Sequence, residues 1–274
     1  MNTKQKSGLL VLTECSIMIA LSTVLSIVKI LEMPYGGSIT LASMLPIVII
    51  AYRHGLGVGA SSALVSSLIQ LLLGLKNFSY FTTWQSIIAL GLFDYVLAFT
   101  VFGLVGVFRK AIKNQAISLA VGTAIASVIR YFCHVLSGAT IWAGLSIPDE
   151  AALLYSLSYN ATYMIPETII LVLCAGYIGV SLDLTKRIPK RKSGEKLDTV
   201  ASYLYIGAGL SVLGALICDT ALVFSKLQNQ DSGELFASGI SSVNWLAVGI
   251  VSGACLLLAA ALVIIARQRT KKTA

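Results

Sequence analysis

Five ionisable side chains stand inside long apolar runs of this sequence: Glu14, Asp94, Arg130, His134 and Glu167. Their spacing suggests what chemistry they could do. Arg130, His134, Gly138 and Trp142 recur every four residues, a step of about 40° around an α-helix, so His134, Gly138 and Trp142 share a broad face. Gly138 removes a side chain beside an imidazole and leaves room for a flat ligand, on which Trp142 could stack. Asn160, Tyr163 and Glu167 fall within about 60° of one another on a helical wheel. Asn160 carries both the donor and the acceptor that reading a heterocycle edge requires. Plainer readings stand beside these. His134 could be a core histidine bonded to a backbone carbonyl. Trp142, like Trp84 and Trp245, sits near the end of an apolar run, where interfacial tryptophans collect.

The elements that must position these groups are membrane helices. Of 274 residues, 57% are apolar and 12% charged, and the mean hydropathy is +0.86. A soluble domain carries roughly 25% charged residues, so a soluble globular enzyme and a disordered chain are both excluded. Eight apolar runs qualify as spans: 8–31, 39–52, 55–74, 83–108, 115–142, 153–182, 200–225 and 240–266. The second is short, contains Pro46 and follows the turn-like Pro34-Tyr35-Gly36-Gly37-Ser38. The stretch from Leu31 to Ser43 is therefore either a lid or cavity wall, or an ordinary loop before a tilted helix.

The net charge of +8 sets topology rather than pointing to nucleic acid, because the basic residues lie between the apolar runs. With the N-terminus inside, the cytoplasmic side receives Lys4, Lys6, Arg53, Arg109, Lys110, Lys113, Lys186, Arg187, Lys190, Arg191, Lys192, Lys196, Arg267, Arg269, Lys271 and Lys272. The other side receives only Lys29, Lys76 and Lys226. Both termini are expected in the cytoplasm. The basic linker 186–199 divides a six-span unit, 1–185, from a two-span extension, 200–274. No P-loop, nucleophile elbow or multi-histidine metal motif is present. The five cysteines, all inside apolar runs and without a CxxC pair, read as buried small apolar residues.

At 1.5 Å per residue, Asp94 lies about 16 Å and Glu167 about 21 Å below the outer ends of their spans, and Arg130 about 22 Å above an inner start. All three can share one layer. Two carboxylates and one guanidinium leave one negative charge, and an unpaired buried charge is costly. A bound organic cation would neutralise it. Alternatively, Arg130 pairs with one acid and the other is protonated.

Four segments stand in order: Gly36–Ile47 (GlyGlySerIleThrLeuAlaSerMetLeuProIle), Asp94–Phe99 (AspTyrValLeuAlaPhe), Arg130–Trp142 (ArgTyrPheCysHisValLeuSerGlyAlaThrIleTrp) and Tyr155–Pro166 (TyrSerLeuSerTyrAsnAlaThrTyrMetIlePro). Together they resemble the thiamine-specific substrate-binding subunits (S components) of energy-coupling factor (ECF) transporters, over about residues 8–182. The resemblance implies an all-α polytopic protein of the bacterial cell membrane: a six-helix S-component bundle, here with two additional C-terminal transmembrane helices. It implies capture of thiamine from outside, and delivery through a transmembrane coupling subunit and two ATPases. ATP is then used by those partners, and this chain has no cofactor and is not an enzyme.

The same resemblance assigns substrate binding to Asp94, Tyr95, His134, Gly138, Trp142, Tyr155 and Asn160, with Arg130, Tyr163 and Glu167 as further candidates. It makes Pro34, Tyr35, Gly36, Gly37 and Ser38 a lid, and Ser16, Ala20 and Val24 the coupling-subunit face of the first helix. Glu167 is not part of the family motif. The alternatives on the same residues are a binder of another vitamin or a thiamine precursor, a self-sufficient secondary transporter, and a membrane-embedded enzyme using His134, Asp94 and Glu167.

Overall fold

The structure is a computed structural model that describes residues 3–33, 36–142, 152–192, 199–227 and 241–273. It divides into two compact units, residues 1–191 and 192–274. The first unit is a bundle of six helices: α1 Thr3–Ile27, α2 Leu45–His54, α3 Leu56–Leu73, α4 Trp84–Ala111, α5 Gln115–Thr140 and α6 Ala152–Ser181. The second holds α7 Thr199–Leu227 and α8 Trp245–Thr273, which pack against one another.

All of the first unit's helices except α2, and α8 over Trp245–Ala266, are long and apolar enough to cross a membrane. Their outward leucines, isoleucines and valines are exposed, as lipid-facing positions require. The chain is a multi-pass membrane protein.

The second apolar run differs from its expected form. Residues 38–40 are a strand and not the start of a span. Strands β1 Lys29–Glu32 and β2 Ser38–Thr40 pair antiparallel, and α2 has only 10 residues, about 15 Å. Gly36 makes the turn possible at φ +101°, and the Met33 N–H donates to Gly37 O at 2.7 Å to close it. Pro46 then falls in the first helical turn, where its missing N–H costs nothing. The hairpin is not a solvent-exposed loop either, because Ile39 of β2 is fully buried.

Helices α2, α3 and α4 approach backbone to backbone. A Cβ on Gly103 would lie 2.5 Å from Ala60 Cα, and one on Gly106 would lie 2.6 Å from the Gly55 carbonyl carbon. In lipid, where apolar burial drives little association, such small-residue contact is what holds helices together. The α5–α6 pair is closed at one end by Gln115, whose amide donates to Gly179 O at 3.0 Å and Leu182 O at 2.6 Å and accepts from Leu184 N–H at 3.1 Å.

Helix α4 is not uniform. Residues Gly91–Leu97 form a π-helical turn, followed by a 3₁₀ turn at Val101–Leu104. The wide turn turns neighbouring side chains to different faces, and it carries Asp94 and Tyr95.

Candidate functional site

A continuous polar chain crosses the first unit. Asp94, on the π turn of α4, accepts from His134 Nδ1–H at 3.0 Å through one oxygen and from Trp142 Nε1–H at 3.0 Å through the other. His134 Nε2 lies 3.4 Å from Arg130 Nε, one helical turn back on α5. A guanidinium only donates and a carboxylate only accepts, so the ring fits as the Nδ1–H form with Nε2 accepting. Arg130 Nη1 donates to Glu167 Oε2 of α6 at 2.9 Å, and its Cζ lies 4.5 Å from the Phe99 ring centroid. Thr40 of β2 donates to the other Glu167 oxygen at 2.6 Å and sits 2.8 Å from Ser43 Oγ. Arg130 and Glu167 are both buried. The network thus joins two carboxylates, one guanidinium and one histidine whose two nitrogens are already committed. Its net formal charge is −1.

The three tryptophans separate by exposure: Trp84 is 67% exposed, Trp245 56% and Trp142 7%. The interfacial reading fits the first two and fails for Trp142. Trp142 packs edge-on to Phe81, with centroids 4.9 Å apart, and lies 5.9 Å from Tyr80. An aromatic wall therefore stands directly on the Asp94 carboxylate, and Gly138 is buried between His134 and Trp142 along α5.

On α6, Tyr163 donates to Asn160 Oδ1 at 2.7 Å, and Asn160 Nδ2 donates to Ser156 O at 2.9 Å. Both residues are buried, as is Tyr155 near the start of the helix. The hairpin turn presses onto this group. A Cβ on Gly37 would lie 2.8 Å from the Tyr159 hydroxyl and 3.0 Å from Tyr163, and the Gly37 N–H donates to Tyr159 Oη at 3.3 Å. Gly36 abuts Asn77 in the same way, at 2.6 Å. Of the expected lid, Gly36, Gly37 and Ser38 are thus at the turn of the hairpin, while Pro34 and Tyr35 lie outside the described residues.

Tyr95 does not join the Asp94 network. Its hydroxyl accepts from Asn77 Nδ2 at 2.9 Å and donates to Gly74 O at 3.3 Å, and its ring stacks on Phe78. Glu14 is remote from the site. It pairs with Arg53 and His54 at the other end of the bundle. Arg53 spends its remaining donors on the carbonyls of Leu184, Lys186 and Arg187, which pins the chain that follows α6. Ser16, Ala20 and Val24 form an exposed stripe on α1, opposite the buried Cys15 and Ser22. Sequence reasoning missed Thr40, Phe81, Phe99 and Asn77. Thr40 stood inside a segment already singled out, but nothing in its type marked it as a partner of Glu167.

The profile of the thiamine transporter protein family (Thia_YuaJ) matches residues 12–186, which include every residue of this network. The chain belongs to that family. Family membership makes it a component of vitamin transport and not an enzyme. It is 36% identical to the thiamine transporter ThiT of Bacillus subtilis (strain 168) over 183 residues, 62% of this chain and 91% of that protein. The thiamine transporter ThiT of Lacticaseibacillus paracasei is 26% identical over 215 residues, 73% of this chain and 100% of the relative. A solved structure of ThiT from Listeria monocytogenes superposes with a TM-score of 0.51 at 25% identity, covering 62% of this chain and 93% of that one. Helices α7 and α8 lie beyond the matched family segment.

Proposed function

We propose that this chain is the thiamine-binding S component of an ECF-type importer. The observation that carries the reading is the Asp94 carboxylate, part-buried in a network of net charge −1 and hydrogen-bonded to the indole of Trp142. Thiamine is a flat aromatic cation. Asp94 would meet its positive charge and Trp142 would stack on a ring. Tyr95, Asn160 and Tyr155 would supply hydrogen bonds, His134 would supply one by exchanging its 3.4 Å contact with Arg130 for the ligand, Gly138 would leave the room beside them, and Arg130, Tyr163 and Glu167 would form the supporting shell. The Tyr95 hydroxyl also ties the π turn to the end of α3 through Asn77 and Gly74. The hairpin bearing Gly36–Ser38 acts as the lid over Tyr159 and Tyr163.

Nothing in the sequence would hydrolyse ATP by a P-loop, so the energy for release comes from two ATPases acting through a transmembrane coupling subunit. That subunit docks on the exposed Ser16, Ala20 and Val24 stripe, whose small residues permit close helix approach. The distribution of Lys and Arg supports a topology with both termini on the cytoplasmic side of a bacterial cell membrane.

The test is a thiamine titration of the detergent-purified chain. The expected result is saturable quenching of tryptophan fluorescence, abolished in Trp142→Ala while Trp84 and Trp245 remain. Absence of both quenching and calorimetric heat overturns the reading.

A further inference from the structure

We infer that Glu167 determines the charge preference of the binding site without touching the ligand, by holding Arg130 off Asp94. Three observations lead here. Arg130 and Asp94 flank the same histidine, one on each ring nitrogen, so the guanidinium is the one permanent cation in the network that holds Asp94. Arg130 is nevertheless committed elsewhere. Its Nη1 bonds Glu167, its Nε faces His134 Nε2, and its plane is held over Phe99. Glu167 is itself fixed from the far side by Thr40, which in turn sits beside Ser43, so the carboxylate has a single well-defined position.

The electrostatic consequence follows from counting charges. With Glu167 ionised, Arg130 is neutralised locally and Asp94 keeps an unbalanced negative charge, which an organic cation completes. Without the Glu167 charge, Arg130 becomes the countercharge of Asp94. The network is then neutral, and a bound cation adds a positive charge that nothing in it balances. The inference rests on the reading of Asp94 as the partner of the cation. It adds a specificity-determining residue that acts through Arg130, at a position outside the four helical and loop segments that carried the family resemblance.

The size of the effect is set by one unit charge acting across the arginine and histidine side chains. At a separation of about 10 Å and an effective dielectric near 20, this is roughly a tenfold change in cation binding.

The experiment compares two probes: thiamine, and an uncharged analogue of the same shape in which a thiophene ring replaces the thiazolium. Dissociation constants for both are measured by calorimetry on the wild-type chain, on Glu167→Gln and on the double variant Arg130→Met/Glu167→Gln. In Glu167→Gln the preference for the cation over the neutral analogue is expected to fall about tenfold, while affinity for the neutral analogue moves less than threefold. The double variant restores the net charge of −1 and is expected to recover the wild-type preference. A merely structural role for Glu167 would lower both affinities together and would not be rescued by removing Arg130. An unchanged preference in Glu167→Gln, or a double variant as unselective as the single, overturns the inference. Failure of the functional reading is distinguishable, since neither probe would then bind the wild-type chain. Should Glu167→Gln fold poorly, the double variant is compared with the wild type: a cation preference within about threefold of the wild type supports the inference, and one reduced about tenfold overturns it.

Discussion

Replacing Asp94 by Asn tests the site at its centre. Asparagine is nearly isosteric. Its oxygen can still accept from one of the two donors, His134 Nδ1 or Trp142 Nε1, each now at 3.0 Å. The fold is therefore retained, because no charged partner is left unpaired in the protein. The direct countercharge of the ligand is what disappears. A pair of unit charges at about 4 Å is worth about 4 kcal/mol at the effective dielectric near 20 that suits protein sites. Part of that is lost to desolvating the carboxylate, which leaves about 2–4 kcal/mol, or roughly a 30- to 1,000-fold weakening of thiamine binding. Calorimetry on the purified variant measures it directly, with the thermal transition as a check on folding. An Asn variant that binds thiamine within about threefold of the wild type would refute the assignment of Asp94 as the cation's partner. So would a variant equally weakened toward an uncharged analogue, because the loss would then be one of shape.

Three further predictions concern the frame around the site. Arg130→Met alone leaves Glu167 buried without its partner and should destabilise the chain by about 3–5 kcal/mol, whereas Arg130→Met/Glu167→Gln should lose far less. Thermal melting in detergent reads this cycle, and additive losses would contradict a direct pair. Gly103→Leu must force α4 away from α3, since even a Cβ would stand 2.5 Å from Ala60 Cα. The expected outcome is loss of the monodisperse folded species on gel filtration, and normal yield and melting would count against the close approach. On the hairpin, Lys29 beside Glu32, with Lys76 further off, holds the Glu32 carboxyl below its ordinary value. A lowered folded-state value means the stabilisation is present above the ordinary carboxylate range and is lost as the pH falls through the lowered value. Exchange protection in residues 29–33 and 36–40, corrected for the intrinsic pH dependence of amide exchange, should therefore fall on acidification in the wild type but not in Glu32→Gln, and identical acid responses would dismiss the bridge.

Much of the architecture was readable beforehand because lipid imposes a simple rule. A backbone with no water must satisfy itself within helices, so apolar runs of sufficient length announce the spans. The periodicity of α5 likewise foretold that Arg130 and His134 would be neighbours, as i and i+4 side chains must be. The second run was less legible. Residues 39–52 are mostly apolar, yet Ile39 and Thr40 belong to a strand and Leu45 onward to a short helix, and hydropathy does not distinguish a strand buried in a bundle from a helix buried there. The partners of Tyr95 were not legible either. The π turn at Gly91–Leu97 brings its hydroxyl to Asn77 and Gly74, and a single inserted residue per turn leaves no compositional trace.

What the chain's own residues determined was an inventory: most of the segments long and apolar enough to cross a membrane, which ionisable groups lie within them, and that two carboxylates and one guanidinium leave a negative charge over. Which carboxylate Arg130 would take, and which would be left to face a tryptophan, was decided only when α4, α5, α6 and the hairpin closed around one another. Charge and depth are properties of positions along a helix. Pairing depends on distances between helices, which are set by glycine contacts remote from the pairing residues in sequence and by the π turn that carries Asp94.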